Sequence, residues 1–221
     1  MSNWDLVSAE KMYKNITDGT HDSPKAVEIG YPLVTSKNIK GGVLDLNSTN
    51  YISEEDYKNI IKRSKVDQWD LIISMIGEYC GYTYLEKNKN TNYAIKNVGV
   101  FKTDSRLESE WLKYYLKSSC GKYYLNLSKS GSSQPYISLG ALRKLPILSP
   151  PLDIKKKIVN VLSSLDDKIE LNNQINDNLD ISKRCTTIGL SVDFQEKKAY
   201  NQAVARCWNE ILKGNSEIVC I

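Results

Sequence analysis

The chain has 221 residues, 41% hydrophobic and 25% charged, the balance of an ordinary globular protein and not of a disordered one. Its length suits one domain with an appendage, or two small domains. A formal charge of +4 is too small to name a partner, although the basic surplus lies mainly in residues 1–151 while residues 152–180 are slightly acidic. The most apolar run, Leu71 to Ile76, is far too short to span a membrane. The start Met1-Ser2-Asn3-Trp4-Asp5 has neither the basic nor the apolar stretch of a signal peptide, so no membrane association is expected. Five cysteines without a Cys-x-x-Cys pair and a single histidine leave little material for a zinc site. No bound metal is expected, and a reduced, cytoplasmic compartment fits best. Fourteen tyrosines stand against two phenylalanines. Tyrosine carries the stacking face and hydroxyl that binding surfaces use, though a base-biased genome gives the same composition.

In chain order, the first strand signals are Tyr31-Pro32-Leu33-Val34-Thr35, after turn chemistry at Asp18-Gly19 and Ser23-Pro24. Gly41-Gly42 is a further turn. Ser53 followed by Glu54-Glu55-Asp56 reads as a helix start, running to about Arg63. Strand-like pieces follow at Leu71 to Ile76, Tyr82 to Leu85 and Val98 to Phe101, separated by turn signals at Gly77 and Asn88 to Asn92. A second helix, about Glu108 to Ser118, carries Trp111, Leu112, Tyr115 and Leu116 on one face. This mixed order predicts one α+β domain over residues 1–150.

Ser149-Pro150-Pro151 is a stiff break. From Leu152 to Leu179 there is no Gly or Pro, and Ile154, Ile158, Val161, Leu165, Asn172, Ile175 and Leu179 follow three- and four-residue steps, with Lys168 in the missing place. That spacing predicts a long coiled-coil helix over residues 151–180, whose apolar side needs a partner helix. An amphipathic helix lying on its own domain is the alternative. Asn172 in the seam would set register at some cost in stability. Residues 181–221 form a tail of unclear role, with a short helix expected at about Glu196 to Lys213.

Enzymatic motifs are missing. There is neither a Gly-x-x-x-x-Gly-Lys-Ser/Thr loop nor a Gly-x-Gly-x-x-Gly turn. His21-Asp22-Ser23 is no triad, because triad members meet in space and not in adjacent sequence. Ser149-Pro150-Pro151-Leu152 is close to the motif with which adenine methyltransferases hold a flipped base, but Leu152 has no aromatic face to stack on it. No catalytic residue is expected.

Binding chemistry is better represented. The loop Ser128 to Tyr136 gathers Lys129, Ser130, Ser132, Ser133, Gln134 and Tyr136 around Gly131. Backbone amides, hydroxyls and lysine suit phosphates, and glutamine suits an adenine edge. A plain polar surface loop is the competing reading. A second candidate runs from Asp18 to Lys25 and includes Thr20, His21 and Lys25, while Lys37, Asn38, Lys87, Lys89, Lys96 and Asn97 are further polar candidates.

Several stretches, taken in order, carry a resemblance. They are Asp18 to Lys25, Tyr31 to Ile39, Asp70-Leu71-Ile72-Ile73-Ser74-Met75-Ile76-Gly77 and Tyr93-Ala94-Ile95-Lys96-Asn97-Val98. Gly131-Ser132-Ser133-Gln134-Pro135-Tyr136-Ile137-Ser138-Leu139, Leu142 to Ile147, Pro150-Pro151-Leu152 and Val161 to Asn172 complete the series. Over residues 1–180 the chain resembles the DNA-specificity subunit of type I restriction–modification systems. The resemblance implies a target recognition domain (1–150) followed by a spacer helix, and a non-catalytic subunit that reads double-stranded DNA. Such subunits usually hold two recognition domains and two helices paired antiparallel, each domain reading half of an interrupted site. S-adenosylmethionine belongs to methyltransferase subunits that dock on them, and ATP with Mg2+ to the restriction subunits.

With one domain and one helix, this chain is expected to form a homodimer or to pair with another half-subunit. About 28 helical residues at about 1.5 Å each span roughly 42 Å, on the order of one DNA turn between half-sites. An inactive decoy using only the coil, or a methyltransferase fragment, are the competing functions.

Overall fold

A computed structural model describes residues 4–103 and 105–178 of the chain. Contacts divide it into two units, Leu6–Ser149 and a second made of Met1–Asp5 with Pro150–Ile221. The mixed α+β class holds. The tail expected to be helical at 196–213, and Leu179 of the seam, lie outside the described residues.

The first unit begins with β1 (Asp5–Ser8), α1 (Ala9–Met12) and β2 (Asn15–Asp18). Next come β3 (Tyr31–Thr35), a 3-10 turn (Ser36–Asn38), β4 (Ile39–Lys40), β5 (Val43–Leu44) and β6 (Asn50–Ile52). After α2 (Glu54–Ser64) the chain lays down β7 (Leu71–Ser74), β8 (Thr83–Leu85), β9 (Ala94–Lys96) and β10 (Val98–Lys102). Then follow α3 (Arg106–Lys117), α4 (Ser119–Leu127), α5 (Leu139–Lys144) and β11 (Pro146–Ser149). The second unit's helix is α6 (Leu152–Asn178).

Two sheets organise the first unit. One is antiparallel in the order β2-β10-β7-β8, and the other has the order β6-β3-β9, with β3 antiparallel to β6 and parallel to β9. In the first sheet the two middle strands are buried almost throughout: Leu71, Ile72, Ile73, Val98, Val100 and Phe101 are all inaccessible. A strand covered on both faces reads as a continuous apolar run without alternation, which is why Leu71 to Ile76 stood out. The strand itself stops at Ser74. Beyond it, Met75 and Ile76 enter a loop whose backbone bonds go to other segments.

A single residue joins the sheets. β9 belongs to one and β10 to the other, and only Asn97 lies between them, in the left-handed region at φ 54°. That turn is what lets one continuous chain leave a parallel pairing with β3 and enter an antiparallel pairing with β7. Asparagine tolerates this conformation better than other residues with a Cβ.

Serine hydroxyls start four of the helices. Ser53, Ser105, Ser118 and Ser138 each accept a backbone N–H three residues on, from Asp56 (3.1 Å), Glu108 (3.3 Å), Gly121 (3.1 Å) and Ala141 (3.1 Å). The face expected on α3 is buried, with Trp111 Nε1 donating to the Leu148 carbonyl (3.0 Å) and the Tyr115 hydroxyl to that of Pro146 (2.7 Å). These two bonds tether α3 to β11. Helix α4 was not foreseen, since Gly121 reads as a breaker. Here glycine serves close approach instead: a Cβ at 121 would sit 2.0 Å from the Tyr115 carbonyl oxygen.

Around residues 65–70, Lys102 Nζ bonds Asp67 Oδ2 (2.7 Å) and also reaches Asp70. Burial lifts the Asp70 carboxyl above its ordinary range, against the pull of Lys102. None of the three lines the groove described below, so the cluster is read as bracing.

Helix α6 starts after the double proline, with Lys155 N–H donating to the Pro151 carbonyl (2.9 Å). Its seam is unevenly covered. Ile158 is fully buried, Ile154, Val161 and Leu165 are half-buried, and Lys168, Asn172 and Ile175 are exposed. Among the described residues no helix is long and apolar enough to cross a membrane.

The corner at Asn97 gives a test. Asn97→Val forces a β-branched residue into the left-handed region and is expected to cost about 1–3 kcal/mol. Asn97→Gly relieves the backbone and should cost less. Denaturant midpoints compare the two; equal losses would show that side-chain contacts, and not backbone conformation, carry the role.

Candidate nucleic-acid interface

Three loops and the Asn97 corner enclose a groove of about 810 Å³. Its walls are the 3-10 turn with Lys40, the β7–β8 loop at Ile76 to Tyr79, and the 130–136 loop through Gln134, with Ser48 and Asn50 at the side. The β7–β8 loop at 76–79 and the 130–136 loop have no helix or strand of their own, and each is held by hydrogen bonds to other segments.

The β7–β8 loop is closed at its base and turned tightly at its tip. Ser74 N–H donates to the Tyr82 carbonyl and Gly81 N–H to that of Ser74, both at 2.8 Å. Cys80 N–H returns to the Gly77 carbonyl (3.0 Å), so Glu78 and Tyr79 occupy the centre of a turn. Gly77 adopts φ 80°, which favours glycine. The 130–136 loop is closed by reciprocal backbone bonds between Ser130 and Tyr136, both 2.8 Å. It is then stapled to the first loop by Gly77 N–H on the Pro135 carbonyl and Ile137 N–H on that of Met75, again 2.8 Å each. Asn97 anchors the third side, accepting from Met75 N–H (3.3 Å) and from the Ser36 hydroxyl (3.0 Å).

Of the residues singled out in sequence, Lys37, Asn38, Asn97 and Gln134 converge on this groove. Lys37 and Gln134 are exposed and available. Asn38 is buried and occupied. Its Oδ1 accepts from Thr35 N–H and from the Thr35 hydroxyl (2.8 Å each), while its amide donates to the Ser48 hydroxyl (3.1 Å). Ser48 in turn donates to Asp45 (2.6 Å), which holds that carboxyl below its ordinary range. Asn38 therefore builds the turn that presents Lys37.

The remaining candidates fall elsewhere. Ser132 and Ser133 are exposed at the tip of the 130–136 loop, and Ser130 and Tyr136 close it, with the Tyr136 ring half open to solvent. Lys129 is not in the groove lining. It sits beside Cys80 and Gly81, where its charge partly offsets the burial that raises the Cys80 thiol. Thr20, His21 and Lys96 form a second patch, and Lys25 is exposed further along the same segment. His21 lies between Asp18 Oδ2 and Asn97 Oδ1, 3.0 Å from each, and Lys96 reaches the Ser23 hydroxyl. Arg63 clamps the other side of Asp18 (3.4 Å) and donates to the Gly19 carbonyl (2.8 Å). Asn97 thus touches both patches. Lys87 and Lys89 lie on an exposed loop outside the groove.

Sequence reasoning missed Lys40, Ser48, Asn50, Glu78 and Tyr79. Lys40 and Tyr79 form a pair, the ammonium 5.2 Å from the ring centre. Only the adjacency of Lys40 to the Gly41-Gly42 turn hinted at a presented side chain.

The chain belongs to the type I restriction modification DNA specificity domain family, whose model matches residues 5–180. It is 22% identical over 225 residues to the putative type I restriction enzyme MjaX specificity subunit of Methanocaldococcus jannaschii, covering 97% of this chain and 52% of that protein. To the HindI specificity subunit of Haemophilus influenzae it is 32% identical over 85 residues, 38% of this chain and 18% of the other. Among solved structures it shares the fold of a type I S subunit from M. genitalium (TM-score 0.56, 17% identity, 89% of this chain, 48% of that one). The HsdS subunit from Thermoanaerobacter tengcongensis is also similar (TM-score 0.50, 18% identity, 97% and 46%). The chain thus spans about half the length of these subunits and of the M. jannaschii relative.

The role of Asn38 is testable. Asn38→Ala leaves the Thr35 N–H and hydroxyl without their acceptor, and should cost about 1–3 kcal/mol of stability. Thermal or denaturant unfolding measures it, with Lys37→Ala, an exposed neighbour, expected to fall within about 0.5 kcal/mol of the parent.

Proposed function

We propose that this chain is a half-length specificity subunit that binds double-stranded DNA through the groove and reads one half of a bipartite site. The groove carries the reading: two lysines that suit phosphates line it together with Gln134, whose amide suits a base edge. Phosphate contacts fix the position of a protein on DNA, and base-edge contacts supply the sequence. The chain performs no chemistry of its own. Methyltransferase subunits carrying S-adenosylmethionine, and restriction subunits using ATP and Mg2+, are its partners in this scheme.

Two copies, or this chain and another half-subunit, pair through α6 to bring two recognition domains onto one site. Ile175 of the seam and the neighbouring Leu171 are exposed, and theirs is the apolar surface left to cover. A two-fold pairing of this kind selects an interrupted palindrome. The 27 residues of α6 are about 40 Å long, near one turn of DNA.

Selection of bound duplexes from a random pool, with and without a methyltransferase subunit, tests the function directly. A two-fold symmetric, interrupted consensus is expected. Lys37→Ala and Lys40→Ala should weaken all duplexes alike and reduce the salt slope by about one contact each, with Lys129→Ala having the smaller effect. Gln134→Ala should cost about 1–3 kcal/mol at one base pair only. Unchanged salt slopes in both groove-lysine variants would place the interface elsewhere.

Pairing has its own measurement. Ile175→Lys puts a charge into the exposed seam and is expected to shift the mass seen by light scattering from dimer to monomer at micromolar concentration. A parent chain that is already monomeric, and stays so with another half-subunit added, rules out the pairing.

A further inference from the structure

Glu78 is the one carboxylate lining the groove, facing the same space as Lys37 and Lys40. It is exposed and sits at the centre of the Gly77–Cys80 turn, and its carboxylate has no hydrogen bond or ion pair among the described residues. For binding a polyanion this is the wrong charge in the wrong place. Phosphates carry only acceptors, so a carboxylate among them is repelled unless a donor meets it. In the major groove of a duplex the base donors are the exocyclic amines of cytosine and adenine.

These two amines differ in what lies beside them. The adenine amine is flanked on its own ring by the N7 acceptor, which repels the second carboxylate oxygen. The cytosine amine is flanked by a ring C–H, which does not. We propose that Glu78 is a specificity-determining residue of the groove, accepting from the amine of a cytosine and excluding the other bases at that position. This rests on the groove being the DNA-reading site.

The position supports a reading role in two further ways. The turn is held at both its ends by backbone bonds and stapled through Gly77 to the loop that carries Gln134, so the carboxylate is presented on a rigid support. Gln134 also lies close, its amide nitrogen 3.9 Å from where a Cβ on Gly77 would be. An amide and a carboxylate lining one groove suit two base pairs of one site, one offering adenine and the other cytosine.

The test uses the full chain and selection from a random duplex pool, with parent, Glu78→Gln and Glu78→Asp compared. The parent should require cytosine at one position of each half-site. Glu78→Gln removes the charge and offers an amide that pairs with adenine, so preference at that position alone should fall about 5- to 150-fold and move towards adenine. It should also bind unrelated duplexes roughly threefold more tightly at low salt, having lost a charge near the phosphates. Glu78→Asp keeps the charge but not the reach, so it should lose the preference without that gain. If both variants keep every base preference of the parent, Glu78 reads nothing and the inference fails while DNA reading stands. If Glu78→Gln only tightens binding to all sequences, the residue is a repelling charge and the inference likewise fails. A parent that selects no sequence overturns the function and the inference together.

Discussion

The structure depends on one backbone corner. Asn97 is the single residue between β9 and β10, and its left-handed turn carries the chain from one sheet to the other. Because strands on either side are locked by pairing with β3 and β7, the corner cannot relax without breaking register. Its polar groups then serve as fixed points for what surrounds it. The N–H goes to the Thr20 carbonyl, the carbonyl to Met75 and Ser36, and the side chain to His21. Three loops from distant parts of the sequence are therefore referred to one strained position at a sheet junction.

The groove follows from that arrangement. Two of its walls, the β7–β8 loop at 76–79 and the 130–136 loop, have no helix or strand of their own. The 3-10 turn is held by the Asn38 side chain and by the Ser36 hydroxyl on Asn97. The β7–β8 and 130–136 loops are instead each closed by a pair of backbone bonds, tied to one another and by way of Met75 to Asn97. Backbone bonds of this kind constrain position while leaving side chains uncommitted. Lys37, Lys40, Glu78 and Gln134 are exposed at positions their main chains fix. Asn38 is the opposite case, a buried side chain whose oxygen accepts twice from Thr35 and whose amide donates to Ser48.

The same distinction explains how far the sequence could be read. Elements with a strong local signal were legible: the doubly buried run at Leu71, the Ser53 cap with its acidic first turn, the Trp111 face and the unbroken helix after Pro150-Pro151. Helix α4 was hidden because Gly121 looks like a breaker, and its true purpose, contact with the Tyr115 carbonyl, is a tertiary fact. Strand β2 is four residues with little apolar content, and only its partner β10 makes it a strand. For the site, residue type alone flagged Lys37, Asn38, Asn97 and Gln134, yet could not separate the buried Asn38 from the available Lys37. Beyond the Gly77 turn signal the sequence assigns Glu78 and Tyr79 to no element, so the carboxylate that faces the groove carried no signal until the turn was seen.

This separation of frame from tips bears on how such a surface can change what it reads. Replacing a frame residue such as Asn38 or Asn97 disturbs buried hydrogen bonds or a strained corner, and the cost falls on folding. Replacing Gln134 or Glu78 disturbs nothing that the fold needs, since each projects from a turn whose geometry is set by main-chain bonds. Affinity from lysines and discrimination from uncharged or acidic groups then vary independently, the first across all sequences and the second base by base. A near-neutral chain suits this division. On the proposed reading, a strongly basic groove would hold any duplex, whereas a carboxylate among few lysines would lower binding wherever its donor is missing, and so contribute specificity by the same charge that costs affinity.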